Sequence, residues 1–542
     1  MTDPAGCSLL HDGLSVHTLG KSVDCAGICD PTASMIPRTG LPDKGLVARI
    51  NKQISARRCL SIGTTAMSDG ADQPPEQTTP AGEPSNDTGN ALVVNGSFFQ
   101  RTDWLSFGLT AVVVLVVYLR TLAPEVTLRY SGIVSTSAKY GGVAYPPGFP
   151  VWTVYSWLFA NLLPFSNVAW RVAVGSAVAT ALACGLVALM VSRAGAMLLE
   201  NTPAFTCRSA TEQHLLRSFC GFVAGMAVGL SRSVWSMAVV AETWAVSLLL
   251  YTALLCLLMR WTGRPERRRF LYAAALVYGL LLTGNQELIV MIPALVVVAL
   301  FNDRELGRDL SLLTSLLAVV AWALGAVGVW RWPVSEMLQG PGLLIAFLLV
   351  GVAGLTVTVK TRRVGSAWMP LGVCAGLFLL GLGWYFYLPF ASMTNPPVNW
   401  AYARTPEGFF HGITRGQFEP WHPTDEWGRF VEQLWILGKE MGKGFGWLYL
   451  VFALLPLGLM RRTCRCARNW LVGLAAAFLC VGPLLMTLLN PSADRASTDL
   501  IGPYFGPMDV VLALWTGLGL MVVGCMVAKP QMQQPPDAMP HS

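Results

Sequence analysis

The sequence predicts an all-α polytopic membrane protein with about twelve transmembrane helices and a long first outside loop carrying an interfacial helix. Three observations carry that expectation. Of the 542 residues, 53% are hydrophobic and only 13% charged, with 19 tryptophans, a composition outside the soluble range. Apolar runs recur at nearly regular spacing from about residue 104 onward, each near the roughly 20 helical residues that a bilayer core about 30 Å thick requires. Arginines cluster between alternate runs, as an oriented membrane chain demands. Lipid-exposed backbone must satisfy its own hydrogen bonds, so each run is expected to be a helix. The alternating pattern of a β-barrel is absent, and the formal charge of +7 sits in interhelical loops, where it indicates orientation and not nucleic-acid binding.

Residues 1–100 differ in composition. SDGADQPPEQTTPAGEPSNDTGN offers almost nothing to bury, so this segment is expected to be a disordered cytoplasmic tail. LVARINKQISARRCL could form a short basic amphipathic helix, and Met67 is a possible internal start. The segment carries neither an apolar signal region nor a cleavage pattern. The sequons at Asn86 and Asn95 read as chance triplets of a polar tail.

Spans are expected at 104–122, 168–191, 218–238, 243–261, 270–284, 288–301, 310–330, 342–359, 367–389, 444–460, 469–489 and 503–527, within a transmembrane domain of residues 101–529. A second disordered tail follows at 530–542. With the N-terminus cytoplasmic, successive inside loops carry Arg193, Arg208 and Arg217; Arg260, Arg264, Arg267, Arg268 and Arg269; Arg304 and Arg308; Lys360, Arg362 and Arg363; and Arg461, Arg462, Arg465 and Arg468. The pattern holds only if residues 145–165 do not cross, although they are apolar enough to suggest it. Residues 123–167 are therefore expected to be a long outside loop: an irregular motif, then an amphipathic interfacial helix with Trp152, Tyr155 and Trp157. The second large outside loop is 390–443.

Thirteen cysteines imply neither zinc nor a disulfide framework, because most lie in the tail or inside apolar runs. The close pair, Cys464 and Cys466, falls on the reducing side and reads as free thiols.

The pieces YLRTLAP (118–124), SG with GVAYPPGFP (131–150), NVAWR, WSMAVVAETWAV (235–246), LTGNQE (282–287), YLPFASMTNPPVNWAYARTPEGF (387–409) and ALWTGLGL together resemble the GT-C superfamily of membrane glycosyltransferases. The resemblance is to the family of domain of unknown function 2723, whose eukaryotic member is a protein O-mannosyltransferase, and it runs from Tyr118 to about Leu520. It implies an enzyme of the cytoplasmic (inner) membrane with its active face outside. A polyprenyl-phosphate-linked sugar, mannose by the resemblance, would be donor, an outside hydroxyl on a protein or glycan would be acceptor, and a divalent metal is possible. Members often carry a soluble C-terminal region, whereas this chain stops soon after Lys529.

In such a family the first loop carries an acidic Asp-Ser-Gly-Glu type motif, the Asp being the base, and a His before Pro-Pro-Gly. This chain has Tyr130-Ser131-Gly132-Ile133 and Tyr145 there. A phenol is a poor base at neutral pH but can donate a hydrogen bond to phosphate or sugar oxygens. Glu242, at the family's Ala-Glu position, is the expected base or metal-linked carboxylate, with a helix-capping Glu as the alternative. Tyr130 joins it as a candidate catalytic side chain. Glu287 beside Asn285 is the second acid, again with a helix-start alternative. Arg129, Lys139, Arg331, Arg404 and Arg415 are the candidate phosphate ligands, since a guanidinium forks two hydrogen bonds, and solvated interfacial anchors are the alternative. Asn395, Asn399 and Trp400, in and after a Pro-Pro turn, could hold a sugar, or could be plain interfacial architecture. Ser131 and Tyr145 complete the expected substrate-binding set. His411 and His422 are alternative bases; no metal-ligand set is expected of them.

P-loop, nucleophile-elbow and dinucleotide motifs are absent, and the halves are not alike, which disfavours a secondary transporter. Beside the transferase stands a second expectation, a scaffold that binds or moves a lipid-linked glycan without transfer, which the loss of the first-loop acids would permit.

Overall fold

In a computed structural model, the structure describes residues 97–128, 130–199, 209–328, 333–416, 421–460, 463–492, 494, 497 and 500–527. The tail with its basic segment, Met67 and both sequons lies outside the described residues, as do Arg129, Arg208, Arg331, Arg461, Arg462 and residues 530–542. Two residues that the sequence groups with the tail, Phe98 and Phe99, are described and buried. Their rings stack under Arg193 and Arg260 at 4.9 and 5.5 Å, which closes the first helix against its neighbours.

The described residues are helical with no named strand. The helices are α1 (Arg101–Thr121), α2 (Ser131–Tyr140), α3 (Pro150–Leu162), α4 (Val168–Leu199), α5 (Ala210–Gly229), α6 (Arg232–Ala238), α7 (Trp244–Gly263), α8 (Arg269–Leu282), α9 (Ile292–Asn302), α10 (Arg304–Ala326), α11 (Pro333–Met337), α12 (Pro341–Thr361), α13 (Trp368–Leu382), α14 (Tyr387–Met393), α15 (Pro406–Ile413), α16 (Trp427–Phe445), α17 (Trp447–Leu459), α18 (Arg465–Leu479), α19 (Leu485–Leu489) and α20 (Gly506–Val527). Short 3-10 turns at Gln286–Met291, Gly383–Phe386 and Gly502–Phe505 carry the chain into α9, α14 and α20.

Eight helices among the described residues are long and apolar enough to cross a membrane, and ten if two bent pairs count as one span each. The protein is thus an all-α polytopic integral membrane protein. One bent pair is α5 and α6, turned by 69° at the break after Gly229. The two remaining expected spans are the shorter apolar helices Arg269–Leu282 and Gln286–Asn302. At 1.5 Å per residue they reach only about 21 and 25 Å. The reason is local: Thr283-Gly284-Asn285 ends α8, and Asn285 leaves helical space with φ −135°. The turn between them is therefore expected to lie below the membrane face, where a polar cluster can be enclosed.

Residues 131–140, expected as irregular, form α2. Ser131, Val134, Ser135 and Ala138 bury one face at helical spacing, and Gly141 closes the helix in the left-handed conformation, φ 62°. α3 follows with 13 residues, about 20 Å and short of a span. The second loop holds more order than its composition suggests, because Thr405 caps α15 by accepting from Gly408 N. α16 buries Gln433, Ile436 and Leu437 but leaves Trp427, Val431 and Trp435 exposed.

Two arginines counted as loop anchors are buried ion pairs instead. Arg217 Nη2 lies 2.9 Å from Asp103 Oδ1, which also accepts from Ser192. Arg308 lies 2.8 Å from Asp309 and donates to Thr361 and Ser366, while the Asp309 carboxylate accepts from Gly365 N and Ala367 N. The Arg217–Asp103 pair ties three helices together, and the Arg308–Asp309 pair satisfies the free backbone N–H groups at the start of α13. Cys464 and Cys466 are free thiols: Cys464 accepts from Ala467 N at the start of α18, and Cys466 donates to Thr262.

Candidate active site

The two long loops are joined. Val143 N donates to Val398 O at 3.0 Å and Trp400 N donates to Val143 O at 3.2 Å, an isolated parallel bridge with Asn399 opposite Val143. Tyr387 donates to Gly141 O at 2.7 Å. The approach is so close that a Cβ on Gly142 would sit 2.5 Å from Val398 O, and one on Gly148 2.7 Å from Leu388. Gly148 also has φ 96°, so both contact and conformation require glycine there.

Tyr145 is the hub of this region. Its ring lies 4.5 Å from the ring of Tyr130 and 4.9 Å from that of Phe149. Its hydroxyl stands 3.5 Å from Thr243 Oγ1, at the outer edge of hydrogen bonding. Glu242, in the turn between α6 and α7, accepts from Thr243 N at 3.0 Å through Oε1, and its carbonyl accepts from Trp152 Nε1 at 3.0 Å and Ser176 at 3.4 Å. Burial pushes the Tyr145 phenol well above its usual range, and the nearby Glu242 carboxylate pushes the same way, with Tyr130 and Glu287 adding smaller effects against the Thr243 contact. Tyr145 therefore remains a neutral hydrogen-bond donor at physiological pH.

Glu287 lies in the recessed turn after Asn285. It is 5% exposed, and Oε1 is 2.5 Å from Arg415 Nη1. Tyr504 approaches the same oxygen at 3.5 Å and packs edge-on against Trp244 at 4.5 Å. The Arg415 guanidinium covers Trp421 at 4.8 Å. A chain of contacts thus runs from Trp244, two residues after Glu242, through Tyr504 and Glu287 to the second loop. Gln286 ties the turn to that loop by donating to Tyr385 and Ile413 O. Asn285 is 3% exposed, and its Oδ1 is buried without a hydrogen-bond partner. In an enclosed polar cluster such an acceptor invites a donor from a ligand.

The remaining sequence candidates are placed as follows. Ser131 Oγ accepts from Thr127 N at 3.3 Å and holds the loop entry. Asn399 donates to Ser392 O, its Oδ1 buried without a partner, and Trp400 is 37% exposed. Arg404 donates to Asn395 at 2.7 Å and covers Tyr402 at 5.5 Å; it makes no contact with either carboxylate, and Arg415 is the cation brought to an acid. Lys139 is bound to Asn161 of α3 at 2.8 Å. His411 packs its ring where a Gly416 side chain would be, and the His422 carbonyl accepts from Asn490. Among the described residues, no group of three or more His, Cys, Asp or Glu could hold a metal ion.

Sequence reasoning missed Thr243, Tyr504, Gln286, Tyr385 and Trp421. Of these, Thr243 and Gln286 stood in quoted motifs. An apolar cavity of about 410 Å³ lies between α9, α12 and the α18–α19 stretch, lined by Pro293, Val297, Leu349 and Leu484, with Phe430 at its edge.

Fold and site define a polytopic membrane protein with an acid–phenol–guanidinium cluster where two loops meet at one end of the helices. Residues 131–307 match the family model described as the N-terminal domain of protein O-mannosyl-transferase TMEM260. The protein O-mannosyl-transferase TMEM260 of Mus musculus is 29% identical over 229 residues, 42% of this chain. The match spans 30% of the length of that relative. These similarities support an O-mannosyltransferase-like family. The matched region contains Ser131, Tyr145, Glu242, Asn285 and Glu287, while Tyr130 and the second-loop residues fall outside it. No solved structure matches the chain.

Proposed function

We propose that this chain is a GT-C-type mannosyltransferase that moves a mannosyl group from a polyprenyl-phosphate carrier to a hydroxyl acceptor on the outer side of the cytoplasmic membrane. The observation that carries the reading is the neighbourhood of Tyr145, whose hydroxyl stands 3.5 Å from Thr243 Oγ1, which in turn donates to Glu242 Oε1 at 3.4 Å. The similarity to a protein named as an O-mannosyl-transferase supports the sugar and the reaction type.

In the reaction the acceptor oxygen attacks the anomeric carbon, the bond from that carbon to the phosphate oxygen breaks, and polyprenyl phosphate leaves. The acceptor proton passes to Glu242, whose carboxylate the Thr243 N–H holds in place. Tyr145 donates to a phosphate or sugar oxygen. Arg415 spends one N–H on Glu287 and is a five-donor group, suited to the charge that grows on the departing phosphate. Asn285 Oδ1 and Asn399 Oδ1 accept from sugar hydroxyls, and Trp400 offers an apolar face to the ring. The 410 Å³ apolar cavity suits the isoprenoid chain, since its α9 wall begins just after the turn that carries Glu287.

The test uses the purified full chain with polyprenyl-phosphate mannose and a Ser/Thr-containing peptide, reading release of polyprenyl phosphate. Glu242→Gln is expected to lower release by at least about 100-fold while donor binding persists; release at the parental rate removes Glu242 from the reaction. The lack of a carboxylate from Tyr130 to Ile133 favours one rival, a protein that binds lipid-linked glycan without transfer. Its signature is donor affinity with no release from either form.

A further inference from the structure

At the opposite end of α9 from the Glu287 turn, a cavity of about 530 Å³ opens between the C-terminal end of α9, the start of α10, the last turns of α12 and the start of α18. Arg304, Arg465 and Arg468 line it together with Asn469, and Phe301 and Val357 form its apolar wall. Arg465 and Arg468 are three apart on α18 and so share a face. None of the three guanidinium groups makes an ion pair or hydrogen bond among the described residues. The acids next to Arg304 are committed elsewhere: Asp303 pairs with Arg268 and caps α10, and Glu305 accepts from Ser366. Asn469 is fixed by donating to Phe301 O and Asn302 Oδ1.

Arg304, Arg465 and Arg468 are exposed, and three guanidinium groups gathered around one cavity attract an anion; their forked donors suit phosphate oxygens. Within this one cavity the arginines are bordered by an apolar wall of Leu300, Phe301, Ala353 and Val357, so it is basic on one side and apolar beside it. That gradient matches a phospholipid, with headgroup phosphate on the arginines and an acyl chain along Val357 and Ala353. We infer that this crevice is a binding site for an anionic phospholipid, separate from the proposed donor site.

The test is native mass spectrometry of the full chain purified in detergent, stripped of lipid and titrated in parallel with phosphatidylglycerol, phosphatidylcholine and inorganic phosphate. One phosphatidylglycerol is expected to bind at least about tenfold more tightly than phosphatidylcholine, since each arginine near an anionic headgroup contributes roughly fivefold. By the same figure, the combined Arg304→Gln, Arg465→Gln and Arg468→Gln variant is expected to lose on the order of 100-fold in affinity. Ala353→Trp, which leaves every charge in place and fills the crevice, is expected to remove the same bound lipid; if the triple variant fails to fold, this variant decides alone. Equal binding of the two lipids, or full retention in both variants, overturns the inference. Inorganic phosphate that binds stoichiometrically and displaces phosphatidylglycerol also overturns it, by making the site one for a soluble anion.

Discussion

Arg415 Nη1 stands 2.5 Å from Glu287 Oε1 across 128 residues of chain, so the second long loop delivers a cation to an acid held in the recessed turn between two short helices. Arg415 itself sits at φ 58°, in the left-handed region that an arginine occupies at a cost, and the Trp421 ring closes over its guanidinium. The pair fastens the second loop to that turn, and under the proposed function the same contacts would orient Arg415 toward the donor phosphate.

Removing one member should therefore harm more than removing both. Arg415→Gln leaves the buried Glu287 unpaired and is expected to destabilise by roughly 3 kcal/mol, the low end for a broken buried pair because the Arg415 side chain is 21% exposed. Arg415→Gln with Glu287→Gln together should recover most of that stability but not the turnover. Thermal unfolding in mild detergent, set beside the release assay, checks both; a double variant less stable than Arg415→Gln would refute the coupling.

Tyr145→Phe removes a donor without altering the fold around Phe149 and Thr243. A hydrogen bond to a charged oxygen is worth about 1.5–3 kcal/mol, so release should fall by roughly 10- to 100-fold. Because burial raises this phenol above its ordinary value, it is protonated everywhere below about pH 10, and the ratio of variant to parent should stay flat from about pH 6 to 9. A ratio that changes within that window would mean that Tyr145 titrates in the reaction.

Gly142→Ala tests the joint between the loops. Its Cβ would fall 2.5 Å from Val398 O, and overpacking of this kind costs about 1–3 kcal/mol. The expected result is faster proteolysis in the 390–416 segment together with lost turnover, while the helices remain folded by circular dichroism. Unchanged proteolysis would show that the bridge is not what holds the second loop.

Arg308→Ala removes a side chain with no solvent exposure and leaves the buried Asp309 carboxylate without its ion-pair partner, held by Gly365 N and Ala367 N alone. The expected loss is roughly 3–5 kcal/mol of stability, read as a lower unfolding temperature, with the reaction per folded molecule unchanged. Stability equal to the parent would refute the reading of Arg308 as a structural ion pair.

The sequence by itself determined the membrane class, the helical architecture and the positions of nearly every apolar helix, because about 20 apolar residues in a row have one physical solution in lipid and that constraint is local. It also marked Glu242, Glu287 and Arg415, since charged groups beside apolar runs are costly enough to stand out. Tertiary structure alone decided which of them meet. Arg415 and not Arg404 faces an acid, Tyr145 and not Ser131 forms the hub, and Arg308 and Arg217 turn inward although they look like loop anchors. Loop pairing between residues more than 200 positions apart, as between Val143 and Asn399, leaves no periodic trace in the chain. It depends on a glycine whose missing Cβ lets one backbone reach another, and that is a property of the assembled fold.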